Sequence, residues 1–213
     1  MCQGIQRFVQ DCSKGRCYPR RFPNKKPRPA SRIPFVHSTP AILLRKIRLT
    51  ETSLITCWLT PGFGRIKTVA KGALRPKNRL AGILDLFHLC EIQFQPARSG
   101  DLHTLREANL SESFPGLRTD YARVALASYA TELLERATES ETPVPELFDL
   151  LLRALRFLST TPASRRALYH FESELARLLG IASENTPAEQ SLFKVLHRLP
   201  SSREDLISRL SAN

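Results

Sequence analysis

The chain has 213 residues, of which 42% are hydrophobic, and carries a formal net charge of +12. This composition supports genuine hydrophobic cores, and no run reaches the roughly 18 apolar residues of a membrane-spanning helix, so a soluble, globular, cytoplasmic protein is predicted. The charge indicates a polyanionic partner, because Lys and Arg gain free energy by displacing counterions from phosphates.

The excess of positive over negative charge lies wholly in the first half of the chain. Residues 1–40 hold 9 basic and 1 acidic residues, residues 41–116 hold 11 and 6, and residues 117–213 hold 12 and 13. We therefore expect the first half of the chain to bind the polyanion and the second half to have a different role.

Residues 1–35 are rich in Arg, Lys and Pro and show neither a two-residue nor a 3.6-residue apolar period, which predicts a disordered leader. It could serve as a nucleic-acid-binding arm, as an organelle targeting peptide, or lie outside the functional protein. We favour a mis-assigned start, because the folded pattern begins near Val36 and Met1 is the only methionine.

Residues 36–114 show the pattern of short strands. In the clearest strand, Cys90, Ile92 and Phe94 alternate with polar residues, as expected for a strand with one buried and one solvent-exposed face. Five strands with a long excursion after the third predict an oligonucleotide-binding (OB) type barrel, with strands at 41–49, 52–60, 65–72, 89–95 and 102–110.

Residues 115–213 change to a helical period and predict an all-α domain of four or five helices that binds partners. Pro143 and Pro145 separate the first two helices, and Gly180 is a plausible C-cap. N-terminal caps are predicted at Thr161 and, as capping boxes, at Thr186 and Ser201. The expected fold is thus α+β multidomain, a five-stranded barrel followed by a helical domain.

The strongest local signal is a basic run through the third strand and the loop after it, which contains six cations and no acid. Alternation places its three strand residues on one face, and cations of the first strand extend the surface. The alternative is an ordinary solvated face. The predicted nucleic-acid-binding residues are Arg45, Lys46, Arg48, Arg65, Lys67, Lys71, Arg75, Lys77 and Arg79.

Other side chains offer less chemistry. Phe63 is a candidate for base stacking, whereas Trp58, Phe87 and Phe94 are expected in the barrel core. Cys57 and Cys90 lie in apolar runs, and no C-x-x-C pair occurs, so we expect small buried thiols rather than a disulfide framework or a zinc ribbon. Histidine spacing favours no metal site, and no catalytic motif is recognised, so no enzyme is predicted.

Several segments closely resemble the RecO family of bacterial recombinational-repair proteins. They are the T-E-x-x-L segment Thr50–Leu54, the G-x-I-x-x-V-A-K-G-A-x-R-P-K-x-R segment Gly64–Arg79, and the F-P-x-L-R-x-D segment Phe114–Asp120. The resemblance extends from about Pro40 to Ile181.

The resemblance implies a mediator, associated with the nucleoid, that binds and anneals single- and double-stranded DNA and helps to load recombinase. The implied partners are RecR and the acidic C-terminal tail of single-stranded-DNA-binding protein, with no membrane. The tail would dock on the helical domain, where Arg118 and Arg123 could meet it or could instead pair with Asp120 or Glu135.

The chain departs from the family after residues 175–182. Many relatives carry four cysteines of zinc-site type there, whereas residues 183–187 contain none, so we expect no zinc and no other cofactor. Two other functions stay open: an RNA-binding OB protein of translation or ribosome assembly, and an interaction adaptor with an incidental basic face.

Overall fold

A computed structural model describes residues 35–210, so the predicted leader lies outside the described residues except for Phe35. Five strands come first in the chain. Their bounds are β1 His37–Arg48, β2 Leu54–Thr60, β3 Gly64–Ala70, β4 Leu89–Gln95 and β5 Leu102–Glu112.

The strands close into a barrel in the order β1-β2-β3-β5-β4, in which β3 and β5 run parallel and the other neighbours run antiparallel. This confirms the predicted five-stranded OB-type barrel. β1 starts four residues earlier than expected, because residues from His37 onward pair with β4.

The barrel interior is filled by the inward row of each strand. Trp58 is fully buried at its centre, and its indole Nε1 donates 3.0 Å hydrogen bonds to the hydroxyls of Thr56 and Thr68. A buried indole N–H without an acceptor would cost free energy, so these two threonines let the largest side chain occupy the core. Trp58 and Phe94 thus lie in the barrel core, as predicted.

The two cysteines of the barrel are buried free thiols. Burial raises the pKa of Cys90 to about 12 and also raises the pKa of Cys57. Both therefore remain protonated at neutral pH and act as the small apolar side chains that the sequence predicted.

The chain then turns helical, which confirms the predicted helical domain. A 3-10 turn at Pro115–Thr119 precedes five helices, and no helix within residues 35–210 is long and apolar enough to cross a membrane. The helices are α1 Tyr121–Ala137, α2 Pro145–Thr160, α3 Arg165–Leu178, α4 Ala188–Leu196 and α5 Ser202–Arg209.

The predicted helix caps are wrong at three positions. Thr161 ends α2, and α3 begins instead after Ser164, whose Oγ accepts a 3.2 Å hydrogen bond from Ala167 N–H. Pro187 replaces Thr186 as the residue before α4, and it has no capping side chain. Ser201 precedes α5 but has helical dihedrals, whereas a capping hydroxyl needs an extended backbone to reach the N–H groups of the first turn.

The outer faces of β1 and β2 pack against the helices. Ile42, Leu44 and Leu59 are buried in one cluster with α1 and α2, so the barrel and the helical domain belong to one compact unit. Phe87 lies in this shared cluster rather than in the barrel core, which corrects the prediction. The burial of β2 on both faces has the same cause.

The α1–α2 connection fastens the helices to β3. Glu141 N–H donates to Arg65 O at 3.1 Å, and Glu141 Oε1 lies 3.1 Å from His103 Nε2. Gly64 has a φ of +60°, and a Cβ built on it would lie 1.9 Å from Thr142 O. Only glycine therefore lets the connection approach the strand this closely.

Replacing Gly64 by alanine should lower the free energy of unfolding by about 2 kcal/mol, because the new Cβ meets backbone and the left-handed dihedrals become strained. Urea unfolding of the purified variant measures this loss. Gly62 is the matched control, since a Cβ there has no neighbour within 4 Å. Equal stabilities of the two alanine variants would contradict the assigned close approach.

Candidate nucleic-acid interface

The cations of β3 point outward as predicted, since Arg65 and Lys67 alternate with the buried Ile66 and Thr68. The sequence suggested two cations free to bind a phosphate, but neighbouring residues restrict both side chains. Arg65 is half-buried beside the α1–α2 connection, and its Nε has no hydrogen-bond partner among the described residues. Lys67 Nζ lies 2.7 Å from Asp101 Oδ2, and its hydrogen bond lowers the pKa of that carboxyl group.

The loop after β3 is shaped by Asn78. Its side-chain amide donates to Gly72 O at 2.7 Å, and its Oδ1 accepts from Leu80 N–H at 2.9 Å. Arg75 N–H also donates to Gly72 O, and the Arg75 side chain crosses over this glycine, 3.4 Å from where a Cβ would lie. The loop therefore has a fixed shape that holds its cations outward.

Four cations of this loop are exposed, and no carboxylate within residues 35–210 bonds to any of them. The β1–β2 turn adjoins them, because Leu74 N–H donates to Thr52 O at 2.9 Å, and this turn brings Arg48 to the same end of the barrel. We call this surface the basic end; its members are Arg48, Lys71, Arg75, Lys77 and Arg79.

Apolar side chains accompany the cations at the basic end. Leu49 and Leu74 are 46% and 43% exposed, and Ile47 is exposed on the neighbouring outer face of β1. Exposed leucines beside cations that form no ion pair with a described carboxylate provide a surface that can contact both bases and phosphates.

The first-strand cations do not form one surface, because successive residues of a strand point to opposite faces, and a register shift between Leu43 and Arg45 decides which cation faces which way. After this bulge Arg45 points outward, where its Nε lies 3.7 Å from Glu135 Oε1. Lys46 points to the opposite side and bonds to Asp85 at 2.9 Å. Arg48 shares the side of Lys46 but continues to the basic end.

Phe63 lies at the other end of the barrel from these cations. Seven residues of β3, Gly64–Ala70, separate it from Lys71, which corresponds to about 20 Å of strand. Its ring packs against His37 and Phe94, with centroids 4.7 and 5.3 Å away. Phe63 therefore lies away from the basic run, and its candidacy for base stacking stays a prediction.

Arg118 bonds to Asp85, a residue of the barrel, and not to Asp120 or Glu135. Partial burial would raise the pKa of Asp85, but the hydrogen bond and charge of Lys46, a backbone N–H and the charge of Arg118 outweigh it and lower that pKa. Arg118 thus ties the helical domain to the barrel.

Arg123 closes the C-terminal end of α2. Its Nη1 donates to the carbonyls of Leu158 and Ser159 at 3.2 and 3.1 Å, and to Gly116 O at 3.4 Å. A cation at a helix C-terminus satisfies carbonyls that have no partner within the helix. Both arginines expected to meet an acidic tail thus have intramolecular partners.

A groove of about 580 Å³ lies between α1, α2 and α3 in the helical domain. Its floor is apolar and includes Phe157, which is 47% exposed. Arg153, Arg166 and His170 stand at its edge, and no carboxylate of the described residues bonds to Arg166. The sequence analysis missed this site. The signal that points to it is a set of cations next to a phenylalanine on the polar side of helices that otherwise separate polar from apolar residues.

No group of three or more His, Cys, Asp or Glu side chains within residues 35–210 is arranged to hold a metal ion. The expectation that the chain lacks a zinc site stays a prediction, for which metal analysis of the purified protein is the direct measurement.

Two family models match this chain. The model described as recombination protein O N terminal matches residues 35–114, and the model described as recombination protein O C terminal matches residues 118–185. The first match covers the whole barrel, and the second covers α1 to α3.

Curated proteins named DNA repair protein RecO are similar to the chain. One from Rhodopirellula baltica is 35% identical over 150 residues, which is 70% of this chain and 54% of that protein. One from Halalkalibacterium halodurans is 30% identical over 148 residues, or 70% and 58% of the two proteins. The chain thus spans little more than half of the relatives it matches. From both family models and these relatives, we conclude that the chain belongs to the RecO family.

Proposed function

We propose that this chain binds single- and double-stranded DNA and acts in DNA repair and recombination as a mediator that hydrolyses no nucleotide. The observation that carries the proposal is the basic end, where four exposed loop cations have no carboxylate partner within residues 35–210. Family membership supports it, since the similar curated proteins are named for DNA repair. Nucleoid association would follow from DNA binding.

Strand annealing follows from charge neutralisation. Two DNA strands repel each other through their phosphates, and a cationic surface that holds both lowers this repulsion while releasing counterions. Base pairing then supplies the driving force, so the reaction needs no nucleotide hydrolysis. Phosphate contacts carry no sequence information, so binding should be independent of sequence.

An annealing assay tests this function. Complementary strands coated with single-stranded-DNA-binding protein are mixed with this protein, with and without RecR, in the absence of ATP. Faster annealing and recombinase loading on the coated strand are the expected results. Annealing at the uncatalysed rate would overturn the proposal, and stronger competition by structured RNA than by DNA would favour the RNA-binding alternative.

The groove of the helical domain suits the acidic C-terminal tail of single-stranded-DNA-binding protein. Its apolar floor accepts hydrophobic side chains, and Arg166 at the edge complements carboxylates. We assign tail binding to Arg166 because Arg118, Arg123 and Arg153 already bond within the chain. RecR is the other partner in this proposal.

Reversing the charge of Arg166 to glutamate should weaken binding of a labelled tail peptide by about tenfold, because one charge-assisted contact becomes repulsive. Fluorescence anisotropy measures the affinity. Arg177→Glu is the control, since Arg177 lies on the same helix outside the groove and bonds to Glu174. An equal loss in both variants would mean that only net charge matters and would reject the groove.

A further inference from the structure

The end of the barrel opposite the basic end carries a cluster of aromatic and imidazole rings. Phe94 and His103 are buried and form its base, with centroids 5.3 Å apart. His37 lies on Phe94 at 5.3 Å, and Phe63 and Phe35 pack against His37 at 4.7 and 4.6 Å. We call the outer three rings, Phe35, His37 and Phe63, the aromatic end.

The outermost ring, Phe35, does not serve only to close the end of the barrel. Thr39, Ala41 and Leu43 form the buried inner row of β1, and the same side of the chain continues through His37 to Phe35. Phe35 lies beyond the barrel and is 72% exposed, so one member of the ring cluster remains open to a ligand.

The platform beneath Phe35 has a fixed shape. Phe63 N–H donates to Thr60 Oγ1 at 3.1 Å, and the same hydroxyl donates to Gly64 O at 3.0 Å, which sets the β2–β3 turn. The rings of Phe35 and His37 meet edge to face at 89°. Little conformational entropy is therefore lost when a flat ligand stacks here.

Positive charge accompanies the exposed ring. Arg98 in the β4–β5 loop is exposed at the same end of the barrel, and no carboxylate of the described residues bonds to it. Cations next to open aromatic rings are the combination that single-stranded nucleic acids bind, since phosphates need charge and unpaired bases offer their faces.

We propose that the aromatic end is a second DNA-contact surface, specific for single strands, on which an unpaired base stacks against Phe35. This rests on the proposed DNA-binding function and adds a base contact about 20 Å away from the phosphate contacts of the basic end. A duplex cannot use the site because its bases are already stacked. The protein thus contacts a single strand through bases at one end of the barrel and phosphates at the other.

The test compares a thymidine oligonucleotide with an abasic oligonucleotide of equal length and charge. The full chain should bind the thymidine strand more tightly, and Phe35→Ala should reduce that affinity about fivefold without changing the abasic affinity. Phe193→Ala is the matched control, because Phe193 is 55% exposed on α4 in the helical domain. Thermal melting confirms that the variants are folded.

Photocrosslinking with a 5-iodouracil strand provides the direct measurement, since this base crosslinks to aromatic rings that it stacks on. A crosslinked peptide containing Phe35 or Phe63 supports the site. If the strand binds but crosslinks elsewhere and Phe35→Ala binds as well as the unmodified chain, the aromatic end is rejected while the proposed function stands. If neither oligonucleotide binds, both proposals are rejected.

Discussion

Replacing Lys71, Arg75 and Arg79 together by alanine should weaken binding to a single-stranded oligonucleotide about 10²-fold at 0.1 M salt. Each phosphate contact on a single strand contributes about 0.7 to the slope of log affinity against log salt. If about five phosphates are neutralised, losing three contacts should reduce the slope from about −3.5 to about −1.4. Titrations at several salt concentrations measure both quantities.

A control of equal charge separates the basic end from a general field effect. Arg153, Arg177 and Arg209 lie on three different helices, and each bonds to an acid on its own helix. Alanine at these three positions removes the same formal charge and should change DNA affinity by less than about fivefold. Equal losses in the two triple variants, or a salt-independent affinity, would reject the phosphate-binding role of the loop.

The barrel was predictable because its signals are local. Alternation across Cys90, Ile92 and Phe94 depends only on neighbouring residues and matches β4. Alternation in β3 likewise predicted correctly that Lys67 points outward, and the basic loop begins where this strand ends. Where pattern and covalent geometry suffice, sequence and structure agree.

The errors arise where tertiary contacts decide. The bulge between Leu43 and Arg45 decides that Arg45, and not Lys46, points toward the helices, and the residue pattern of β1 does not predict this bulge. Phe87 has the composition of a barrel-core residue, but the helices pack on it from outside. Thr161 precedes a proline, as an N-cap residue often does. In the structure it ends α2 instead, and Ser164 caps the next helix.

The candidate functional surfaces were also predictable only where the signal is local in sequence. The loop cations were found from the sequence because consecutive charges without acids are visible in one dimension. The partners of Lys67 and Arg118 were not, since Asp101 and Asp85 are more than 30 residues away. The groove and the aromatic end each combine elements distant in sequence, so they exist only in the folded chain.

The final helix is held by a buried ionic network. Arg203 forms two hydrogen bonds with Glu172, of 2.7 and 3.0 Å, and its Nη1 lies 2.9 Å from Glu189. Tyr129 Oη donates to the same Glu172 carboxylate. Burial would lower the pKa of Arg203, but its contacts with Glu172 outweigh this and raise it, so the guanidinium stays charged. The network thus joins α5 to α1, α3 and α4.

Replacing Arg203 by alanine should lower the free energy of unfolding by about 3–5 kcal/mol, because Glu172 would remain buried without its counter-ion. Arg209→Ala on the same helix is the control, since its exposed pair with Asp205 contributes about 0.5 kcal/mol or less. The double variant Glu172→Gln, Arg203→Met removes both charges and keeps an acceptor for Tyr129, so it should recover much of the loss. Urea unfolding measures all three. A loss for Arg203→Ala no greater than for Arg209→Ala would mean that α5 is held by its apolar contacts instead.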